Sequence, residues 1–250
     1  MNYLKSLLGI ELSAVSYREK LVSVAGGLVS ILVLTFVTER MLHLSGATAV
    51  IASMGASAVL LFAVPHGQLS QPWPVLAGHV FSALVGVICA KCIPGPNLAA
   101  AFAVCLSIGL MHQFKCIHPP GGATALTAVL GGGAIHEMGF RYVIFPVLVN
   151  SLLMIGVAVA FNVFFGWRRY PAFLGHKEVP PSPGTPSHEE IVVALRSINT
   201  FVDVSEDDLI LLSQLLAKGR EAPVNAGRGE MISSHGTSIH VPTSHHHIKI

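Results

Sequence analysis

Residues 115–126 read KCIHPPGGATAL, two prolines and two glycines side by side between two strongly apolar segments. In water such punctuation is an ordinary turn. At membrane depth, irregular backbone is tolerated only where protein encloses it or where it lines a water-filled cavity. The flanking sequence favours the second setting. Between Met41 and Trp167 the only Lys, Arg, Asp or Glu residues are Lys91, Lys115, Glu137 and Arg141. Mean hydropathy is +0.65 and charged residues make up 11% of the chain, against roughly 25% in an ordinary globular domain. A block of about 130 residues with so few charges cannot supply the polar surface of a water-soluble domain. The expected fold class is therefore all-α, a polytopic helix bundle in a lipid bilayer.

A full helical span needs about 20 residues. On that ruler six apolar segments run roughly from Leu21 to Val37, Ala47 to Val64, Trp73 to Ile93, Leu98 to Phe114, Gly121 to Ile135 and Tyr142 to Trp167. The second and fifth are crowded with Gly, Ala, Ser and Thr, residues that let helices approach closely or let backbone take part in a site. Gly55-Ala56-Ser57-Ala58 aligns with Gly122-Ala123-Thr124-Ala125 at an offset of 67, and the same offset carries Trp73 onto Phe140. The chain thus reads as two repeated units, each a full helix, a broken small-residue segment and another full helix. Internal symmetry around short, Gly/Pro-interrupted segments is a pointer to a transporter site.

Lys5, Arg18 and Lys20 precede the first span, and Arg168, Arg169 and Lys177 follow the last. The positive-inside rule then puts both termini in the cytoplasm, with the chain in the cytoplasmic membrane and an even number of crossings. Four crossings follow if the broken segments are re-entrant, leaving the units parallel. Six follow if those segments cross, making the units an inverted repeat. Gly- and Ala-rich helix faces would suit a homodimer or internal packing equally.

Pro119 and Pro120 lack N–H donors and are preset for a helix start, and Gly121 and Gly122 leave the backbone uncovered. The expectation is a bare helix N-terminus, with unpaired N–H groups and a partial positive charge that suit an anion. Lys115, His118 and Thr124 stand beside it. Ser53, Gly55 and Ser57 mark the matching segment of the other unit, and the two segments are expected to meet near the midplane. His79 and Asn150 lie inside the third and sixth segments, where a buried polar group needs a partner or a pathway. Each is read as an interhelical hydrogen bond or a substrate contact.

The His118-Pro119-Pro120 triplet with Gly121-Gly122-Ala123-Thr124-Ala125, together with ASMGASAVLLFA at 52–63 and PHGQLSQPW at 65–73, resembles the HPP family of integral membrane proteins. The resemblance spans about residues 17–170. It implies a domain usually described with four membrane helices, and it implies transport of a nitrite-like anion, the activity associated with plant and cyanobacterial members. Longer bacterial members continue into CBS modules, for which this chain leaves too few residues.

Residues 1–20 read as an amphipathic interfacial segment without a cleavable signal peptide. After the membrane domain at 21–168, a Pro-rich linker is expected over 169–187. Capping boxes at Ser187/Glu190 and Ser205/Asp208 predict a small cytoplasmic helical hairpin over 188–219, and 220–250 reads as a disordered, His-rich tail. The four cysteines lie in or beside apolar segments, so neither a disulfide framework nor a metal site is expected. No cofactor and no nucleic-acid partner is indicated. Neither HExxH nor G-x-S-x-G occurs, and no carboxylates pair inside the apolar block, so an enzyme is not expected. The competing reading is a membrane sensor or anchor whose hairpin binds a partner.

Overall fold

The computed structural model describes residues 15–42, 47–168, 170–175 and eight positions between 190 and 213. Every regular element among them is helical. In chain order these are α1 (Tyr17–Leu42), α2 (Ala47–Ala63), α3 (Pro72–Cys92), α4 (Pro96–Gln113), α5 (Pro120–Leu130), α6 (Gly133–Met138) and α7 (Val149–Val163). A 3-10 turn, Gln68–Ser70, lies between α2 and α3, and a wide π-type turn, Val143–Leu148, leads into α7. That turn is broken at Phe145 (φ −135°, ψ 115°), next to Pro146, whose ring forbids a regular helical bond.

Three helical stretches are long and apolar enough to cross a bilayer: Tyr17–Arg40, Pro72–Cys92 and Val143–Val163. The 18-residue α4 is apolar in its middle and polar at its ends, at Asn97, His112 and Gln113. By contrast the 11 residues of α5 rise only about 16 Å, half the hydrocarbon core. Gly132, at φ 81°, separates α5 from α6, so the expected fifth segment is two short helices.

Side-chain contacts sort the helix ends. Arg168, just after α7, bonds Glu19 at the start of α1 and the carbonyl of Phe62 at the end of α2. Trp73, at the start of α3, donates its indole N–H to the carbonyl of Phe114 after α4 (3.0 Å). These termini share one end of the bundle, here the proximal end. At the distal end Lys91 of α3 lies beside Gly139 and over the ring of Phe140. Leaving aside the six-residue α6, successive helices therefore run alternately away from the proximal end and back to it.

The packing repeats as well. α1 packs on α2 and α7, α4 on α5 and α3, α3 on α5 and α7, and α2 on α5 and α7. Exchanging α1 with α4, α2 with α5 and α3 with α7 maps this set of contacts onto itself. The tightest crossing is α3 on α5. A Cβ at Gly78 would sit 2.7 Å from the Cβ of His118, and one at Gly86 would sit 2.7 Å from the carbonyl of Ala125. Gly78, Ser82 and Gly86, spaced by four, give α3 a smooth stripe against which α5 lies backbone to backbone.

Several sequence expectations shift. The first helix begins at Tyr17, so the last residues of the expected interfacial segment form its opening turn; residues 1–14 lie outside the described residues. The start of the expected linker is bound to the bundle, where Tyr170 donates to the carbonyl of Ser70 and the N–H of Ala172 donates to Oε1 of Gln71. Most of the hairpin and all of the tail lie outside the described residues. Residues 190, 191 and 193 and residues 209, 210, 212 and 213 are helical.

Candidate functional site: a histidine pair joined by hydroxyls

The first turn of α5 lies against α3 and α2, and four polar side chains meet there, each fully buried: Ser57 of α2, His79 of α3, His118 before α5, and Thr124 of α5. Ser57 Oγ is 2.8 Å from His79 Nε2 and 2.8 Å from His118 Nε2. His79 Nδ1 is 2.7 Å from Thr124 Oγ1, and His118 Nδ1 is 2.8 Å from the carbonyl oxygen of Leu69. The two rings stand edge to face with centroids 4.9 Å apart.

Hydrogen-bond chemistry fixes the direction of this chain. A carbonyl oxygen only accepts, so His118 donates from Nδ1 to Leu69, and the neutral ring's Nε2 is then an acceptor. Ser57 must donate its one proton to that nitrogen. Its oxygen then accepts from His79 Nε2–H, and the remaining nitrogen, His79 Nδ1, accepts the hydroxyl of Thr124. The run Thr124→His79→Ser57→His118→Leu69 leaves no ring nitrogen unpaired. A buried network satisfied in this way fixes a unique arrangement of the helices that carry it. Tyr142 steadies the first link by donating to the carbonyl of Thr124 (3.2 Å).

The expected bare helix end is not found. The N–H of Gly121 donates to the carbonyl of His118 (2.8 Å) and that of Gly122 to the carbonyl of Pro119 (3.0 Å). The two prolines have no N–H to leave free, and the tight turn they impose brings their neighbours' carbonyls within reach of the glycines. Polar character at this spot therefore resides in side chains. Besides the four already named, Ser82 Oγ, one turn beyond His79, is fully buried without a hydrogen-bond partner. It faces the start of α5, since a Cβ on Gly121 would meet it at 2.8 Å.

The remaining expected residues are spread out. Lys115 is exposed, in a left-handed conformation (φ 52°), outside the buried chain. Ser53 is buried one turn before Ser57, whose hydroxyl lies 3.4 Å from its carbonyl. Gly55 and Gly122 have open space around an added Cβ, whereas Gly121 is hemmed in by the carbonyl of Gly78, Met111 and Ser82. Asn150 accepts from Thr38 of α1 (3.2 Å), an interhelical bond, and its Nδ2 has no partner. His79 is the eighth residue of α3, about 10 Å from that helix's proximal start. The middle of α3, at Ser82, is about 5 Å further on, so the two small-residue segments meet close to the midpoint of that helix, on its proximal side.

Residues 12–171 match the family profile of the HPP transmembrane region. The chain belongs to the HPP family. Two transmembrane proteins of Dictyostelium discoideum are similar to this HPP protein. One is 40% identical over 149 residues, covering 58% of this chain and 48% of the relative. The other is 40% identical over 127 residues, 49% of this chain and 44% of the relative. The aligned part thus spans about half the length of either relative. No solved structure matches. The triplet that marks the family has its first residue inside the buried hydrogen-bonded chain, and its two prolines turn the backbone into α5.

Proposed function

We propose that this HPP protein carries a small inorganic anion, nitrite-like in size and charge, and that the anion binds at the first turn of α5. The observation that carries the reading is the buried His79–Ser57–His118 arrangement, whose direct partners are hydroxyls and one carbonyl. The imidazoles and hydroxyls of this site are bonded to one another, and an anion would take over some of those donors in place of its lost water, with no carboxylate bonded to the site to repel a negative charge. The unpartnered hydroxyl of Ser82 supplies another such donor at the same turn.

The alternating helix directions and the self-exchanging contacts support six traversals and an inverted relation between α1–α3 and α4–α7. Ser57 and Thr124 come from the short small-residue helices of the two units, and movement of one unit against the other would change which side reaches the site. Among the described residues Arg18, Lys20, Lys115 and Arg168 lie toward the proximal end, against Arg40, Lys91 and Arg141 toward the distal one. That bias supports a cytoplasmic proximal end.

An enzymatic role fits the arrangement less well. Ser57 and His118 have the spacing of a nucleophile and its base, yet the other ring nitrogen of His118 is held by the Leu69 carbonyl rather than by a carboxylate that would stabilise the protonated base.

Liposomes containing the full chain test the carrier reading. Nitrite or nitrate should enter them faster than protein-free vesicles, and Ser57→Ala should slow entry about ten-fold or more, the equivalent of one lost buried hydrogen bond. Entry at the protein-free rate would end the carrier reading. One contact favours the sensor reading: Gln68, in the loop whose Leu69 carbonyl orients His118, donates to the carbonyl of Val204 in the hairpin region (3.0 Å). Binding of a soluble partner by that region in the absence of any flux would favour it.

A further inference from the structure

Both hydroxyls of the buried chain have a second acceptor within reach. Ser57 Oγ lies 3.4 Å from the carbonyl of Ser53, and Thr124 Oγ1 lies 3.4 Å from the carbonyl of Pro120. Each is the carbonyl four residues back, opened toward the side chain by the helix itself. This spare pair of acceptors gives the chain a second complete bonding pattern. If a proton is added at His118 Nε2, the Ser57 hydroxyl turns to Ser53. Its oxygen then accepts from both Nε2–H groups. If the proton is added instead at His79 Nδ1, the Thr124 hydroxyl turns to Pro120 and its oxygen accepts from the ring. In either pattern every N–H and O–H still has a partner, and the network has gained one positive charge. A second proton would place two imidazolium rings 4.9 Å apart, so the capacity is one.

The surroundings do not neutralise that charge. α2, α5, the π-type turn and α7 contain no Asp, Glu, Lys, Arg or His. On α3 the other titratable groups are Cys89, Lys91 and Cys92, three turns away at the distal end. α4 offers Cys105 and His112, both exposed; Lys115 and buried Cys116 precede α5, His66 lies in the loop before α3, and α6, beyond the distal end of α5, carries His136, bonded to the Val129 carbonyl, and exposed Glu137. The phenol of Tyr142 faces the carbonyl of Thr124. α1 packs on α2 with its charges, Arg18, Glu19, Lys20, Glu39 and Arg40, at its two ends. None of the elements that build the site carries a carboxylate, and an unpaired cation there is costly. An anion bound beside the rings removes that cost, and the proton in turn removes the cost of burying the anion.

We propose that the Ser57–His79–His118–Thr124 cluster takes up one proton with each anion, so that the protein carries the two together as a neutral pair. The inference rests on the carrier reading and specifies its co-ion. One proton enters from the water on the loading side, adds to an imidazole lone pair, and leaves with the anion on the other side.

The full chain in liposomes tests it, with nitrate as the probe, because nitrous acid crosses lipid unaided. Nitrate inside is assayed chemically, internal pH is read with a trapped dye, and the membrane potential is clamped with potassium and valinomycin. One proton should enter per nitrate, the rate should be indifferent to the clamped potential, and one pH unit of inward proton gradient should sustain about ten-fold nitrate accumulation. His79→Gln and His118→Gln should lose that accumulation, and their residual flux should follow the potential. Wild-type nitrate flux that follows the potential without proton entry overturns the inference and leaves the carrier reading standing. No nitrate flux above protein-free vesicles overturns both. The wild-type proton-to-nitrate ratio decides even if the histidine variants fail to fold.

Discussion

Ser57 and Thr124, equivalent positions 67 residues apart, hold the two nitrogens of a single imidazole: His79 Nε2 is 2.8 Å from Ser57 and His79 Nδ1 is 2.7 Å from Thr124. Two short, small-residue helices from different halves of the chain are thereby joined through a ring on a third helix. Because Ser57 also serves His118, the four side chains behave as one hydrogen-bonded unit rather than as separate contacts.

The unit should show strong energetic coupling. Ser57→Ala leaves both ring nitrogens without their shared partner and should cost about 1–3 kcal/mol of stability. His118→Gln should cost a similar amount, and the double variant should cost clearly less than the sum, since both remove the same link. Thermal unfolding of the four proteins in one detergent measures the cycle. Full additivity would show that the link contributes nothing.

Glycines along the α3–α5 crossing should separate sharply from glycines elsewhere. At Gly78 and Gly86 an added methyl would stand 2.7 Å from a neighbouring Cβ and a backbone carbonyl respectively, and Ala at either position should destabilise by about 1–3 kcal/mol. Gly55, Gly109 and Gly156 meet nothing within 4 Å, and Ala there should be neutral or slightly stabilising through its better helix propensity. Expression level and melting temperature report both sets.

Arg168 fastens the proximal end. Its guanidinium, 1% exposed, bonds Glu19, Ser23 (2.9 Å), Asn162 (3.1 Å) and the carbonyl of Phe62. Burial draws its pKa down and the facing Glu19 carboxylate opposes that shift. Arg168→Ala leaves the Phe62 carbonyl and Asn162 Oδ1 without their donor, and Glu19 with only the Trp167 indole N–H, and should cost about 3 kcal/mol. Arg168→Lys should recover little, because an ammonium cannot reach in the several directions that the planar fork does.

The two crossing schemes predict opposite labelling. On a background without native cysteines, Gly67→Cys in the loop after α2 and Asn97→Cys at the start of α4 are tested with an impermeant thiol reagent on right-side-out cells. Six traversals put position 67 inside and position 97 outside. Four crossings with re-entrant α2 and α5 put position 67 outside and position 97 inside.

Much of this was legible in the residues, because membrane solvent imposes strong rules. The scarcity of charge between Met41 and Trp167 set the fold class, and the 67-residue offset paired Ser57 with Thr124. His79 stood out as a polar group inside an apolar segment, and His118 as a donor beside the turn into α5. Their connection was not legible, since it depends on α2, α3 and α5 crossing at Gly78 and Gly121, and no local pattern states which faces meet. The spacing of Gly78, Ser82 and Gly86 was the available signal for that crossing and for Ser82. The Leu69 carbonyl, which sets the direction of the chain, has no sequence signature at all. The bare helix end failed for a local reason: Gly121 and Gly122 bond the carbonyls of His118 and Pro119. Arg168 reads in sequence as a marker of the cytoplasmic side, and only the fold reveals its buried bonds to Glu19 and Phe62.

The central claim is that an anion binds at the His79–His118 pair. Ring 15N NMR of the histidine-labelled protein in detergent tests this directly, with the two pairs of resonances assigned through His79→Gln and His118→Gln. Titrating nitrate should move the resonances of His79 and His118 and leave those of His66, His112 and His136 in place. Unmoved His79 and His118 resonances at saturating nitrate, or movement confined to the exposed histidines, would contradict it.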